Sequence, residues 1–173
     1  MVALPVFLTE MLGWSSVYVG GFMAVWVIGY GVVQASAPVL LRLRQAAPNA
    51  KKALIWAIIL MLIPVVIILF LAQDWQPEVV VVSGLLIFGV VFAINSALHS
   101  YLILAYSSHD QIALKVGFYY MANAGGRLLG TVLSGWGYQQ FGLTGCLWLS
   151  AGFIAMAALL SSRLPMGQIS DLR

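Results

Sequence analysis

Residues 116–138 read VGFYYMANAGGRLLGTVLSGWGY, a stretch of bilayer-crossing length whose one charge, Arg127, stands midway along it. About 20 largely apolar residues span the hydrocarbon core as a helix, so this run reads as a membrane crossing with an arginine at mid-depth. A charge at that depth costs about 2.5–3.5 kcal/mol on insertion scales, and such residues face a bundle interior, a water-filled cavity or a counter-ion. No acid lies within a helical turn of Arg127. Two readings follow: the guanidinium waits for an anionic ligand, or it is held by backbone carbonyls or by an acid on another helix.

The whole chain agrees with a membrane setting. Of its 173 residues 62% are hydrophobic and 8% charged, with a mean hydropathy of +1.01, whereas a soluble domain carries about 25% charged residues. Pro64 and the many glycines within apolar runs fit membrane helices, which tolerate both. The single cysteine, Cys146, allows no internal disulfide and sits in an apolar run, where a small buried filler is expected. Met1 leads directly into VALPVFLTE without a basic flank, so a cleavable signal peptide is not expected.

Five stretches reach crossing length: Ser16 to Leu41, Ala53 to Ala72, Val79 to Leu104, Val116 to Tyr138 and Leu143 to Ser162. A shorter run, Met1 to Met11, precedes them and reads as the tail of a helix that begins upstream, in a longer protein or in a naturally truncated one. The expected architecture is therefore an all-α integral membrane bundle over residues 1–164, followed by a cytoplasmic tail, 165–173. Basic residues gather in alternate connections: Arg42, Arg44, Lys51 and Lys52 in one, Lys115 in another, Arg163 and Arg173 in the tail. The remaining connections hold acids, Glu10 in one and Asp74 with Glu78 in another. The positive-inside rule then sets the basic side and the C-terminus in the cytoplasm of a cell (inner) membrane. Trp14, Trp75, Trp136 and Tyr138 fall at the outer ends, as interfacial aromatics do.

The crossings are of two kinds. Ala53 to Ala72 has no hydrogen-bonding side chain except the indole of Trp56, and Leu143 to Ser162 is nearly as plain, so both can face lipid. The other three carry polar side chains four apart, on one helical face: Trp26, Tyr30 and Gln34; Asn95 and His99, with Ser96 and Ser100 beside them; and Asn123, Arg127 and Thr131. Three such rows could line one aqueous cavity as its substrate-binding wall. The alternative is that they hydrogen-bond between helices as packing groups, and that His99 is a packing histidine rather than a proton carrier. A further face, Ala122, Gly126, Gly130 and Ser134, offers small residues at every fourth position, which lets another helix backbone approach closely.

In order along the chain the pattern is cavity, cavity, support, repeated once. Three helices followed by three of opposite topology is the 3+3 inverted-repeat plan of one half of a major facilitator transporter. The phrases LPVFLTEMLGW (4–14), GGFMAVWVIGYGVVQASAP (20–38), SYLILAYSSHD (100–110), VGFYYMANAGGRLLGTVLSG (116–135) and GCLW (145–148) resemble the organoarsenical efflux permeases of that superfamily, the ArsJ type. The similarity runs from near Met1 to about Pro165, and its densest block is YYMANAGGRLLGT (119–131). It corresponds to the C-terminal half alone, from the end of the seventh helix to the twelfth.

That resemblance implies export of 1-arseno-3-phosphoglycerate, a product formed when a glyceraldehyde-3-phosphate dehydrogenase uses arsenate in place of phosphate, and hence arsenate resistance. It also implies a functional link to that dehydrogenase and a partner half of six helices, needed for alternating access. An arginine suits the bidentate binding of such oxyanions. The connection RLRQAAPNAKK (42–52) departs from the superfamily: it keeps basic charge without the Gly-Asp pair of the gating motif.

Other readings remain open at this stage: an exporter of another small organic anion, drug or sugar, or a non-transporting membrane subunit or scaffold. An enzyme is not expected, since neither a Ser-His-Asp nor a Cys-His arrangement stands out. His109 with Asp110 reads as a solvated loop pair, and GGRLLG lies in an apolar helix instead of following a strand as a nucleotide loop would. No cofactor or metal is expected, since neither a phosphate-cradling glycine loop nor a metal-ligand cluster stands out, and no nucleic-acid partner, because the net charge of +3 follows from the basic cytoplasmic connections.

Overall fold

A computed structural model describes residues 2–41, 50–105 and 112–163, which are helical apart from short connections. Five helices follow in order: α1 (Ala3–Glu10), α2 (Ser16–Leu40), α3 (Ala50–Leu71), α4 (Pro77–Ala105) and α5 (Ile112–Ser161). Four of them, α2 to α5, are long and apolar enough to cross a membrane, so this is a multi-pass membrane protein. Arg42, Arg44, His109, Asp110 and the tail 165–173 lie outside the described residues.

Local chemistry sets the helix ends. Ser15 caps α2, its side chain accepting from the Tyr18 N–H at 3.3 Å, which satisfies one orphan donor of the first turn. Pro77 opens α4, where its missing N–H leaves no bond unmade. Between α3 and α4 the chain turns through Asp74 (φ 56°), closed by bonds from Gln73 N to Phe70 O (3.2 Å) and Trp75 N to Phe70 O (3.4 Å). So short a connection makes α3 and α4 antiparallel neighbours.

The sequence predicts two crossings where α5 forms one element of 50 residues. At about 1.5 Å per residue a straight helix of that length would run about 75 Å, more than twice the ~30 Å hydrocarbon core. It is not straight: Gly142 has φ 64° and ψ −162°, outside helical space, at the expected boundary. Its two arms, 112–141 and 143–161, fold back on each other. Cys146 Sγ–H donates to the Ser134 carbonyl at 3.4 Å, a contact that twelve residues of straight helix would prevent. Near the far ends, Tyr119 Oη lies 3.0 Å from Ser100 Oγ and Ser161 Oγ lies 3.5 Å from His99 Nε2. Both ends of α5 thus meet α4 at adjacent residues.

Helix α4 is central, packing on α2, α3 and α5, while α3 also packs on α5 and α1 on α5. A hydrophobic cluster of Leu4, Phe7, Leu8, Val19 and Val81, with Trp14, Phe22, Tyr138 and Leu143 around it, sits toward the end that carries Glu10, Asp74 and Glu78. One expectation shifts. The plain helix α3 buries Ala53, Ala57, Leu60, Pro64, Ile67 and Ile68, whereas α2, with its polar row, buries only Val19 and Ala37.

Candidate functional site

The polar rows form two groups. The first lies along the seam of α2 and α4. Trp26 Nε1–H donates to the Leu85 carbonyl at 2.9 Å, and this approach needs Gly89, where a Cβ would lie 2.9 Å from that nitrogen. Tyr30 stacks between Trp26 (centroids 6.0 Å apart, 14° between planes) and Phe92 (5.5 Å, 28°). One turn further, Gln34 Nε2 donates to Ser96 Oγ at 3.2 Å.

His99 is held on α4 itself. Its Nδ1 lies 2.9 Å from the Asn95 carbonyl. A carbonyl can only accept, so Nδ1 carries the hydrogen and, in the neutral ring, Nε2 is left to accept from Ser161. Among the described residues the buried side-chain oxygen of Asn95 finds no hydrogen-bond partner, a condition that native interiors rarely leave uncompensated.

The second group lies on the first arm of α5. Arg127 is exposed, Thr131 is exposed and Asn123 half-buried. Among the described residues none pairs with the Arg127 guanidinium. Thr131 Oγ–H donates at 2.8 Å to the backbone carbonyl of Arg127, one turn back on its own helix. The small-residue face is occupied at one position only: Ser134 Oγ accepts from the backbone N–H of Val2 (3.4 Å) and Ala3 (3.1 Å) at the start of α1. Around Gly126 and Gly130 nothing stands within 4 Å of an added Cβ, so the close helix approach expected along Ala122, Gly126 and Gly130 is not made by the described residues.

Of the seven candidate residues, the structure brings Tyr30 and Gln34 onto the seam of α2 and α4, keeps Asn95 and His99 on α4, where His99 reaches Ser161 of α5, and sets Asn123, Arg127 and Thr131 on the first arm of α5. Tyr119 links the groups. It stands one helical turn before Asn123, on the same row as Arg127, and bonds Ser100 of α4. Its four-residue spacing from Asn123 was a visible signal in the sequence. Ser161, the partner of His99, gave none, since a serine pair at the end of a plain helix carries no periodic pattern.

Chemically, the arm presents a fork of guanidinium donors and an amide along one row, a donor set for an oxyanion, with the Thr131 hydroxyl turned to the Arg127 carbonyl beside them. Among the described residues no group of three His, Cys, Asp or Glu side chains could hold a metal ion. No protein family, curated protein or solved structure matches the chain.

Proposed function

We propose that this chain is the C-terminal six-helix half of a major facilitator transporter, in the inner membrane with its C-terminus cytoplasmic, and that it exports an organoarsenical anion such as 1-arseno-3-phosphoglycerate. The two arms of α5 then count as the last two helices of the half. One observation carries the reading: an arginine midway along a crossing, exposed and unpaired among the described residues. A fixed charge at that depth has to be met by an anion, by water or by another element. The row of Asn123 and Arg127, with Thr131 beside them, offers donors that suit arsenate and phosphate oxygens, and the resemblance of several phrases to organoarsenical permeases is what points to that substrate class.

In this reading Arg127 anchors the anion bidentately. Asn123 completes its contacts, joined by Thr131 when its hydroxyl leaves the Arg127 carbonyl; Asn95 and His99 of α4 offer further polar groups, while Tyr30 and Gln34 fasten α2 to α4. Movement of the first arm and α2 against a partner half of six helices exposes the anion to alternate sides.

The test is growth on arsenate of an efflux-deficient strain that carries the glyceraldehyde-3-phosphate dehydrogenase. The chain is expressed with the first six helices of a related permease, as wild type and as Arg127→Ala. Resistance with the wild type and its loss in the variant, at equal membrane abundance, is the expected result. Resistance that survives Arg127→Ala would remove the anchor. Expressed wild type that protects against no arsenate would remove the arsenical substrate and favour another anion.

A further inference from the structure

A groove of about 420 Å³ runs between α3 and α4, at the end of the molecule where they join, and no residue of the candidate site lines it. Its walls include Ile63, Phe70 and Ile87, with Ser83 the one hydroxyl and Trp75 at the mouth. The floor is at backbone level: a Cβ on Gly84 would lie 2.5 Å from Ile67 Cδ1, so the helices touch there and the space lies outside that contact. Trp75 packs edge-on against Phe70 (4.9 Å, 60°) and remains exposed, the position of a headgroup-level aromatic.

Charge decides what the mouth accepts. Asp74 immediately precedes Trp75, and Glu78 immediately precedes Val79 of the groove wall. Glu10 ends α1 at the same end, and Glu78 Oε1 accepts from Trp14 Nε1 at 3.1 Å. The described lysines Lys51, Lys52 and Lys115 stand at the opposite ends of their helices, so this end of the molecule is acidic. An anionic headgroup would meet like charge there, and an amine would meet attraction. Size decides the tail. A helix about 10–12 Å across over the ~16 Å from Ile59 to Phe70 would displace well over 1,000 Å³, so the groove suits a single hydrocarbon chain.

We propose that this groove binds an acyl chain of a phospholipid whose headgroup carries an amine, drawn from the leaflet on the Asp74 side. Trp75 lies at the ester level and Asp74, with Glu78 behind it, faces the ammonium. The site is independent of the anion site on α5, so its test does not depend on transport.

The chain is purified in mild detergent, equilibrated with equal amounts of phosphatidylethanolamine, phosphatidylcholine and phosphatidylglycerol, and examined by native mass spectrometry. Wild type should retain one phosphatidylethanolamine roughly fivefold over phosphatidylglycerol. Asp74→Asn with Glu78→Gln should keep lipid bound but erase that preference. Ser83→Phe, which fills the groove from an exposed position, should lower occupancy by every lipid. Equal retention of the three lipids by wild type overturns the proposal, as does preference that survives the double substitution, or a protein retained where the lipid was expected. Undiminished occupancy in Ser83→Phe would place the lipid elsewhere.

Discussion

The seam between α2 and α4 and the first arm of α5 are built from the same sequence device, polar side chains four apart on apolar helices, yet they end differently. On the seam the indole of Trp26 reaches the Leu85 carbonyl, Tyr30 stacks on Phe92 and Gln34 bonds Ser96. On the arm, Thr131 turns back to its own backbone and Arg127 finds no partner among the described residues. Spacing tells which residues share a face. Whether that face is glue or a site depends on what stands opposite as well as on its chemistry, and the arm differs from the seam in both: it carries the charge of Arg127 and meets no partner for it among the described residues.

The largest expected effect comes from breaking the contrast at Arg127. Hydrogen bonds to charged groups contribute about 1.5–3 kcal/mol each, so Arg127→Ala should weaken anion binding by roughly 10- to 150-fold. Arg127→Lys, which keeps the charge without the fork, should fall between. Thermal stability in detergent should be unchanged in both, because no partner among the described residues is lost. A melting temperature that drops on Arg127→Ala would mean that the arginine holds the bundle together, as the seam residues do, and the comparison would fail.

Next in size is Gly142, which folds α5 back on itself so that both ends of that helix meet α4. Its φ of 64° with ψ −162° lies in a region that is essentially glycine's alone, where other residues are strained by about 1–3 kcal/mol. Gly142→Ala should lower stability by that amount in a denaturant titration. It should also weaken anion binding, since it tilts the arm that carries Arg127. Stability lost without any change in binding would show that the position of the arm is set elsewhere.

Much of the fold is legible in the sequence. Hydropathy placed the helix bodies, and the break between Tyr138 and Leu143 fell around Gly142, because glycine is the residue that permits a non-helical turn there. What hydropathy could not give was the environment of each face. Lipid tails are as apolar as leucine, so the plain sequence of α3 reads the same whether it meets lipid or, as here, packs Ala53, Ala57 and Leu60 inside the bundle. Within the candidate site, the four-residue rows were visible, but the partners of His99 and Gln34 lie 62 residues away in sequence. Such pairings depend on how helices assemble, which no local pattern encodes. That Arg127 meets no partner among the described residues is likewise a property of the assembly.

On the seam itself, Gly89 is where packing is tightest, because the indole of Trp26 fills the space a side chain would need. Gly89→Val should force that ring off the Leu85 carbonyl and cost about 1–3 kcal/mol, the range for overpacked interiors. The fluorescence of Trp26, compared with a Trp26→Phe control, should shift as its N–H loses the carbonyl. The same substitution at Gly126 on the arm, where nothing stands within 4 Å, should leave stability nearly unchanged. Equal losses at the two glycines would erase the distinction between a packed seam and an open arm.

The smallest effect, and the finest discrimination, lies in the Gln34–Ser96 bond of 3.2 Å. Interhelical side-chain bonds in membranes average about 0.6 kcal/mol in double-mutant cycles, because the separated helices find other partners. Gln34→Leu, Ser96→Ala and the double variant, measured by unfolding in mixed micelles, should return a coupling of that size. A pairing of Thr131→Val with Gln34→Leu should return none. Coupling at the first pair keeps Gln34 as glue between α2 and α4. Its absence would free the amide to face the same cavity as Arg127, and the seam would then be a site along its whole length.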